Sequence, residues 1–118
     1  MSIRYRAGYK YQLAESYEIL TPILAEIGIS CRFIRLDPEG WLRIREDYAW
    51  DGPSGPTMDT PDSMRASLVH DALYQLMCAG QLDRRWRASV DKLFWELLLE
   101  DGMEPGRAAL WYAAVEIF

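Results

Sequence analysis

A stretch rich in proline and glycine divides this chain into two halves with different residue patterns. Residues 48–63, YAWDGPSGPTMDTPDS, contain two glycines and three prolines among sixteen residues. Proline cannot donate a backbone hydrogen bond, and glycine loses more conformational freedom than any other residue when it is fixed in a helix or strand. The stretch therefore predicts a loop, and the segments before and after it must fold separately into their own elements.

The first half shows the short alternating patterns that are typical of β-strands. Residues 4–13, RYRAGYKYQL, alternate well enough to predict one strand, whereas Pro22 argues against a central strand in YEILTPIL. The segments CRFIRL and WLRIRE flank residues 37–40, DPEG, in which proline suits the second turn position and glycine closes the turn. We predict a β-hairpin here. The alternating faces of its second strand are Leu42 and Ile44 on one side and Arg43 and Arg45 on the other.

The second half shows helical spacing in three segments. Residues 61–78 predict a first helix that ends near Gly80, residues 84–100 predict a second helix, and Pro105 opens a third. A small antiparallel sheet followed by three helices is an α+β fold. The chain has 118 residues, so we expect one domain with strands in residues 1–50, a loop at 48–63 and helices in 61–118.

The charge balance limits the partners of the chain. Its 18 acidic and 13 basic residues give a formal net charge of −5. Nucleic-acid-binding proteins normally present a basic surface, so we expect no nucleic-acid partner, although arginines cluster within residues 32–45 and 84–87. No apolar run reaches the length of a transmembrane helix, and the first residues show no secretory signal, so we expect a soluble product. Cys31 and Cys78 lie in no metal-ligand spacing.

The only histidine of the chain lies in the first predicted helix, in the stretch SLVHDALYQL. His70 and Tyr74 are four residues apart and share a helix face, while Asp71 is rotated by about 100°. On the second helix, Asp91 interrupts an apolar stripe, where a carboxylate requires a partner. Antiparallel packing of the two helices makes His70 that partner. A carboxylate on one imidazole nitrogen leaves the other nitrogen free to take a proton, which is half of a hydrolytic site.

A metal ion would complete this site in one way. Asp71 is not needed to hold the histidine and is free to ligate an ion. The loop WDGPSGP precedes the helix and exposes backbone carbonyls at Gly52 and Gly55. Oxygen ligands of this kind suit calcium, so calcium is the predicted cofactor of this alternative.

A serine nucleophile would complete the site in another way. Ser54 lies in the same loop and would attack an ester or amide, with His70 as its base and Asp91 as the group that orients the imidazole. The substrate would then be peptidoglycan or another small molecule. This alternative predicts that Ser54→Ala abolishes activity and that calcium removal has no effect.

A third interpretation requires no catalysis. A histidine that hydrogen-bonds an aspartate of a neighbouring helix is often a purely structural pair. The chain would then act through an exposed apolar patch that receives a partner protein. The candidates for that surface are Trp50, Trp111 and the strand edge within residues 4–13.

The second half also resembles a family found widely in phages and prophages, domain-of-unknown-function family 1353. The segments that carry the resemblance are YAWDGPSGPTMDTPDSMRASLVHDALYQLM, ASVDKLFWELLLEDGM and ALWYAAVEIF. The positions that match its pattern are Asp51, Gly52, Ser54, His70, Asp71, Asp91, Phe94, Tyr112 and Val115. The resemblance implies a phage-associated protein of the host cytoplasm or the virion, such as a tail accessory or host-interaction factor, and it implies no established activity.

The HDALY helix followed by the distant Asp91 is also similar to the catalytic core of phospholipase A2, and most similar to the parvovirus capsid form that lacks disulfides. This resemblance implies that His70 is the base that activates water and that Asp71 binds calcium. Asp91 and Tyr74 would hold the imidazole, and a phospholipid would be the substrate. Met64 departs from the viral form, which has an acid six residues before the histidine.

Overall fold

The computed structural model describes residues 3–6, 11–50 and 61–117, in which strands come first and helices follow. The strands are β1 (Tyr5–Arg6), β2 (Tyr11–Leu13), β3 (Tyr17–Leu20), β4 (Ile29–Ser30), β5 (Ile34–Leu36), β6 (Trp41–Ile44) and β7 (Ala49–Trp50). The helices are α1 (Pro61–Cys78), α2 (Arg87–Glu100) and α3 (Pro105–Ile117), with a 3₁₀ turn at Arg84–Trp86 before α2. The predicted α+β fold, with three C-terminal helices, is confirmed.

The described strands form two antiparallel sheets rather than the single small sheet that the sequence predicts. The strand order is β1-β2-β7 in one sheet and β3-β6-β5-β4 in the other. Strand β3 ends just before Thr21 and Pro22 and lies at an edge, which agrees with the argument against a central strand there.

The prediction of one strand over residues 4–13 is wrong. Strands β1 and β2 pair antiparallel, with Tyr5 opposite Leu13 and Arg6 opposite Gln12. Strands β1 and β2 therefore run in opposite directions and are two separate strands. Tyr5, Tyr11 and Leu13 all occupy odd positions, so the period-two pattern alone could not separate the two strands.

The predicted hairpin is confirmed. Strands β5 and β6 pair antiparallel, with Leu36 opposite Leu42. The Gly40 N–H donates to the Asp37 carbonyl at 3.1 Å, and the Asp37 carboxylate accepts two further backbone N–H groups of the turn at 3.0 Å each. Gly40 has φ of +100°, and a Cβ at this position would collide with the carbonyl oxygen of Thr21. The turn therefore requires glycine for two independent reasons.

We expect Gly40→Ala to lower the free energy of unfolding by about 2–3 kcal/mol, because both the backbone conformation and the Thr21 carbonyl oppose a Cβ. Gly80 offers a matched control, since its φ is +76° but no described atom lies within 4 Å of an added Cβ. Gly80→Ala should cost only about 1 kcal/mol. Urea unfolding of both variants measures the difference, and equal losses would show that the collision with Thr21 is relieved.

The loop predicted at residues 48–63 overlaps a strand at its start and a helix at its end. Ala49 and Trp50 pair with β2 as strand β7, so the prediction is wrong for these two residues. Residues 51–60 lie outside the described part of the chain. The first helix begins at Pro61, as predicted, and Asp62 lies in its first turn.

The ends of the helices follow from the residues that the sequence places there. The Gly80 N–H donates to the Met77 carbonyl at 3.0 Å and closes α1 in a left-handed conformation, as predicted. Cys78 at the end of α1 and Cys31, which directly follows β4, are free thiols. No helix in the described part of the chain has the length and apolar character that crossing a bilayer requires.

One apolar core joins the inner faces of the strands to the helices. The fully buried side chains at its centre include Leu13, Ile34, Leu42, Ile44, Leu68, Leu73 and Leu98. Trp50 and Trp111 belong to this core and are 3% and 4% exposed, so the prediction that they form a partner surface is wrong. Trp50 donates its indole N–H to the Ser67 hydroxyl at 3.1 Å, which explains how a tryptophan from the end of a strand can be buried against α1.

A buried arginine ties α1 to the end of α2 and to β3. The Arg65 guanidinium contacts both carboxylate oxygens of Asp101 at 3.0 Å and one of Glu100 at 2.9 Å. It also donates to the Tyr17 hydroxyl at 3.1 Å. Burial opposes the charge, but these hydrogen bonds raise the pKa of Arg65 above its usual range. Arg65 therefore remains charged in the core and fixes the position of α1.

Candidate functional site

The packing of α1 against α2 brings together three residues that the sequence singled out. His70 and Tyr74 lie one turn apart on α1, and Asp91 faces them from α2. The Asp91 residue is 2% exposed, and the His70 side chain is 11% exposed. The imidazole therefore lies at the border of the core, with its carboxylate partner beneath it.

The hydrogen bonds of Asp91 fix the proton of the imidazole. His70 Nε2 lies 2.8 Å from Asp91 Oδ1, and the Tyr74 hydroxyl donates to the same oxygen at 2.6 Å. An ionised carboxylate can only accept hydrogen bonds, so Nε2 carries the imidazole proton. In the neutral ring, Nδ1 then holds a lone pair, and it makes no hydrogen bond to any residue in the described ranges.

Aromatic rings hold the imidazole in this orientation. The His70 ring lies against the Tyr74 ring with centroids 4.2 Å apart, and against Phe94 at 4.9 Å. Phe94 in turn packs on Trp111 of α3 at 6.3 Å. A ring that is enclosed in this way cannot rotate freely, so its two nitrogens keep distinct roles.

Arg87 is a member of the site that sequence reasoning missed. Its Nε donates to the Tyr74 hydroxyl at 3.2 Å and lies 3.8 Å from Asp91 Oδ2. Another guanidinium nitrogen donates to the Glu116 carbonyl of α3 at 3.4 Å. Arg87 precedes Asp91 by four residues on α2, and this spacing is the signal that could have identified it.

Tyr74 is held in its neutral form by its surroundings. Burial and then the hydrogen bond to Asp91 raise the pKa of Tyr74 to about 12, although Arg87 acts in the opposite direction. The hydroxyl therefore acts as a donor to Asp91 across the physiological pH range. The Tyr74 hydroxyl and His70 Nε2 both donate a hydrogen bond to Oδ1 of the buried Asp91.

We expect the absorbance titration of the tyrosines to include one group near pH 12 that is absent in Tyr74→Phe. Because the pKa is raised on folding, the neutral hydroxyl stabilises the fold fully below pH 10, and this contribution is lost as the pH rises towards 12. Circular dichroism at each pH identifies the range in which the chain is folded. If Tyr74→Phe instead removed a group that titrates near pH 10, the buried hydrogen bond to Asp91 would be absent.

Asp71 lies on the side of the imidazole that carries the lone pair. Its Oδ1 is 4.0 Å from His70 Nδ1, and its side chain is 38% exposed. One exposed carboxylate suits calcium chemically, but within the described ranges no three His, Cys, Asp or Glu side chains come together as metal ligands. The other predicted loop residues, Asp51, Gly52, Ser54 and Gly55, lie outside the described residues. The calcium and serine alternatives therefore both stay predictions.

Comparison with known proteins identifies a family. The family described as a protein of unknown function, DUF1353, matches residues 53–115, which is more than half of the chain. The chain belongs to the DUF1353 family. The DUF1353 match contains α1, α2 and most of α3, together with His70, Tyr74 and Asp91. No curated protein and no solved structure matches the chain.

Proposed function

We propose that this DUF1353 protein is a hydrolase in which His70 is the general base, and that its substrate is a lipid ester. The observation that carries the proposal is the contrast between the two imidazole nitrogens. Nε2 bonds a buried carboxylate at 2.8 Å, whereas Nδ1 keeps its lone pair next to the exposed Asp71. The phospholipase A2 resemblance implies these same roles for the histidine, the aspartate and the tyrosine, and the hydrogen bonds of Asp91 to His70 and Tyr74 support the proposal.

The proposed reaction uses His70 twice. Its Nδ1 takes a proton from water, and the hydroxide attacks the ester carbonyl. The imidazolium that forms is stabilised by Asp91, which already receives the Nε2 proton in a hydrogen bond. When the tetrahedral intermediate collapses, the imidazolium returns the proton to the leaving alkoxide, and a fatty acid and an alcohol are released. Tyr74 and Arg87 keep the carboxylate in place through both steps.

We also propose that Asp71 holds a calcium ion with the carbonyls of Gly52 and Gly55. When bound, such an ion polarises the ester carbonyl and balances the charge of the oxyanion. The support from the described residues is the position of Asp71, which is 38% exposed and makes no hydrogen bond to another described residue. Asp71 is therefore free to ligate without weakening the contact between His70 and Asp91.

Fatty-acid release from mixed phospholipid vesicles, with calcium and with a chelator, tests both parts of the proposal. We expect release by the wild type in calcium and its loss with chelator, and we expect Asp71→Asn to require more calcium. Glu96→Gln is the matched control, since it removes an exposed carboxylate of α2 that lies outside the site. Release that persists in chelator would contradict the calcium site, and loss of that release in Ser54→Ala would favour the serine mechanism.

A second candidate is a non-catalytic phage accessory or host-interaction protein, in which His70 and Asp91 join two helices. The low exposure of His70 and its ring contacts to Tyr74 and Phe94 favour this candidate. It predicts that folded wild-type protein releases no fatty acid under any condition. The phage setting itself stays a prediction from the resemblance of the motifs.

A further inference from the structure

The face of the four-stranded sheet that points away from the core carries a row of arginines. In β6, Leu42 and Ile44 are fully buried, so Arg43 between them faces outward. Strand pairing places Arg43 directly opposite Arg35 of β5, and Arg35 opposite Ser30 of β4. Two cationic side chains are therefore neighbours across the strands at the centre of this face.

Two further arginines border the same surface. It forms an open depression of about 470 Å³, and the charged and polar residues along it include Arg32, Arg35, Arg43, Arg45, Ser30 and Glu46. A guanidinium nitrogen of Arg45 donates to the Arg32 carbonyl at 3.4 Å, which holds the end of β6 close to the turn before β5. The depression thus concentrates four positive charges in a chain whose net charge is −5.

The fold does not neutralise these charges. None of the four arginines lies within ion-pair distance of a carboxylate in the described part of the chain. By contrast, Arg6, Arg65 and Arg85 each lie within 3.1 Å of one. Like charges that are directly opposite on neighbouring strands destabilise a sheet. The direct opposition of Arg35 and Arg43 therefore costs stability, and it leaves these two guanidinium groups available to an anion.

We propose that this depression binds a small ligand that carries phosphate groups. Guanidinium groups recognise phosphate oxygens through pairs of parallel hydrogen bonds, and several guanidinium groups around one depression suit a multiply charged anion. The volume lies within the range of small-molecule sites, roughly 300–1,000 Å³. Glu18 of β3 lies opposite Arg43 in the strand register, beyond ion-pair distance, and Glu46 borders the depression, so a long polyanion would meet repulsion on both sides. The proposal rests on the sheet alone and does not depend on the His70 site.

Calorimetric titration with inorganic tripolyphosphate tests the proposal, with the double variant Arg35→Gln/Arg43→Gln. The matched control is Arg84→Gln/Lys92→Gln, which removes two positive charges from exposed positions that do not line the depression. We expect the wild type and the control to bind, and the Arg35/Arg43 variant to bind at least about tenfold more weakly. We also expect this variant, without ligand, to be as stable as the wild type or more stable, because two like charges are removed.

A second experiment distinguishes a free phosphate compound from the phosphate of a lipid headgroup. Flotation with vesicles that contain phosphatidic acid, compared with vesicles of phosphatidylcholine alone, shows whether a lipid headgroup is accepted. Binding in either experiment that requires Arg35 and Arg43 supports the proposal and assigns the source. No binding of the wild type in either experiment, or an equal loss in the variant and in the charge-matched control, would overturn it.

Discussion

Arg65→Met is expected to lower the free energy of unfolding by about 3 kcal/mol, the largest loss of stability that we predict for a single substitution. The variant keeps the length of the side chain but removes a buried charge that contacts Asp101, Glu100 and Tyr17. Breaking a buried ion pair from one side typically costs about 3–5 kcal/mol, because the remaining charges lose their partner. We expect a value near the lower end, since Glu100 is 62% exposed and can be hydrated again.

Urea unfolding measures this loss, and Arg84→Met is the control. Arg84 is exposed on the 3₁₀ turn and lies in no ion pair with the described residues, so its replacement should change stability by less than about 0.5 kcal/mol. If Arg65→Met were as stable as the wild type, the ion pairs would only offset the cost of burying the guanidinium. The position of α1 would then depend on apolar packing alone.

Asp91→Asn is expected to lower the rate of ester hydrolysis by about 10²- to 10⁴-fold. The amide has nearly the same shape as the carboxylate, so the packing of Tyr74 and His70 around it can be kept. The negative charge that stabilises the imidazolium is lost, and an amide nitrogen placed next to Nε2 would favour the tautomer that has its proton on Nδ1. The base would then present a donor to water instead of a lone pair.

The effect of Asp91→Asn is measured as the initial rate of fatty-acid release, together with the melting temperature of each protein. Glu96→Gln on the same helix removes one carboxylate outside the site and should keep the full rate. The double variant Asp91→Asn/His70→Gln should lose no more activity than His70→Gln alone, because the two residues act as a unit. Independent, additive losses would mean that Asp91 does not act through His70.

The parts of the fold that were predictable depend on residues that are close in the sequence. DPEG specifies a turn because the Asp37 side chain, the proline and Gly40 each satisfy a local requirement of that turn. The meeting of His70 with Asp91 was predictable for a related reason. A short connection makes α1 and α2 antiparallel neighbours, and a carboxylate within an apolar stripe requires a partner.

The parts that were missed depend on contacts between distant segments. Arg65 bonds groups that lie about 35 and 48 residues away, so no local pattern indicates that an arginine in α1 is buried. The burial of Trp50 follows from its bond to Ser67, which requires β7 to lie against α1. The arginine depression is an intermediate case. The cluster was visible in the sequence, but its lack of carboxylate partners emerges only when the strands are paired.

The proposal that His70 is a catalytic base is tested most directly by fatty-acid release in the presence of calcium, with the wild type, His70→Gln and the exposed-site control Lys92→Gln. We expect release by the wild type and the control, and a loss of about a hundredfold or more in His70→Gln, with all three proteins folded. Release by His70→Gln at the wild-type rate would contradict the assignment of the base. Absence of release from the folded wild type would instead identify the contact between His70 and Asp91 as a structural tie between α1 and α2.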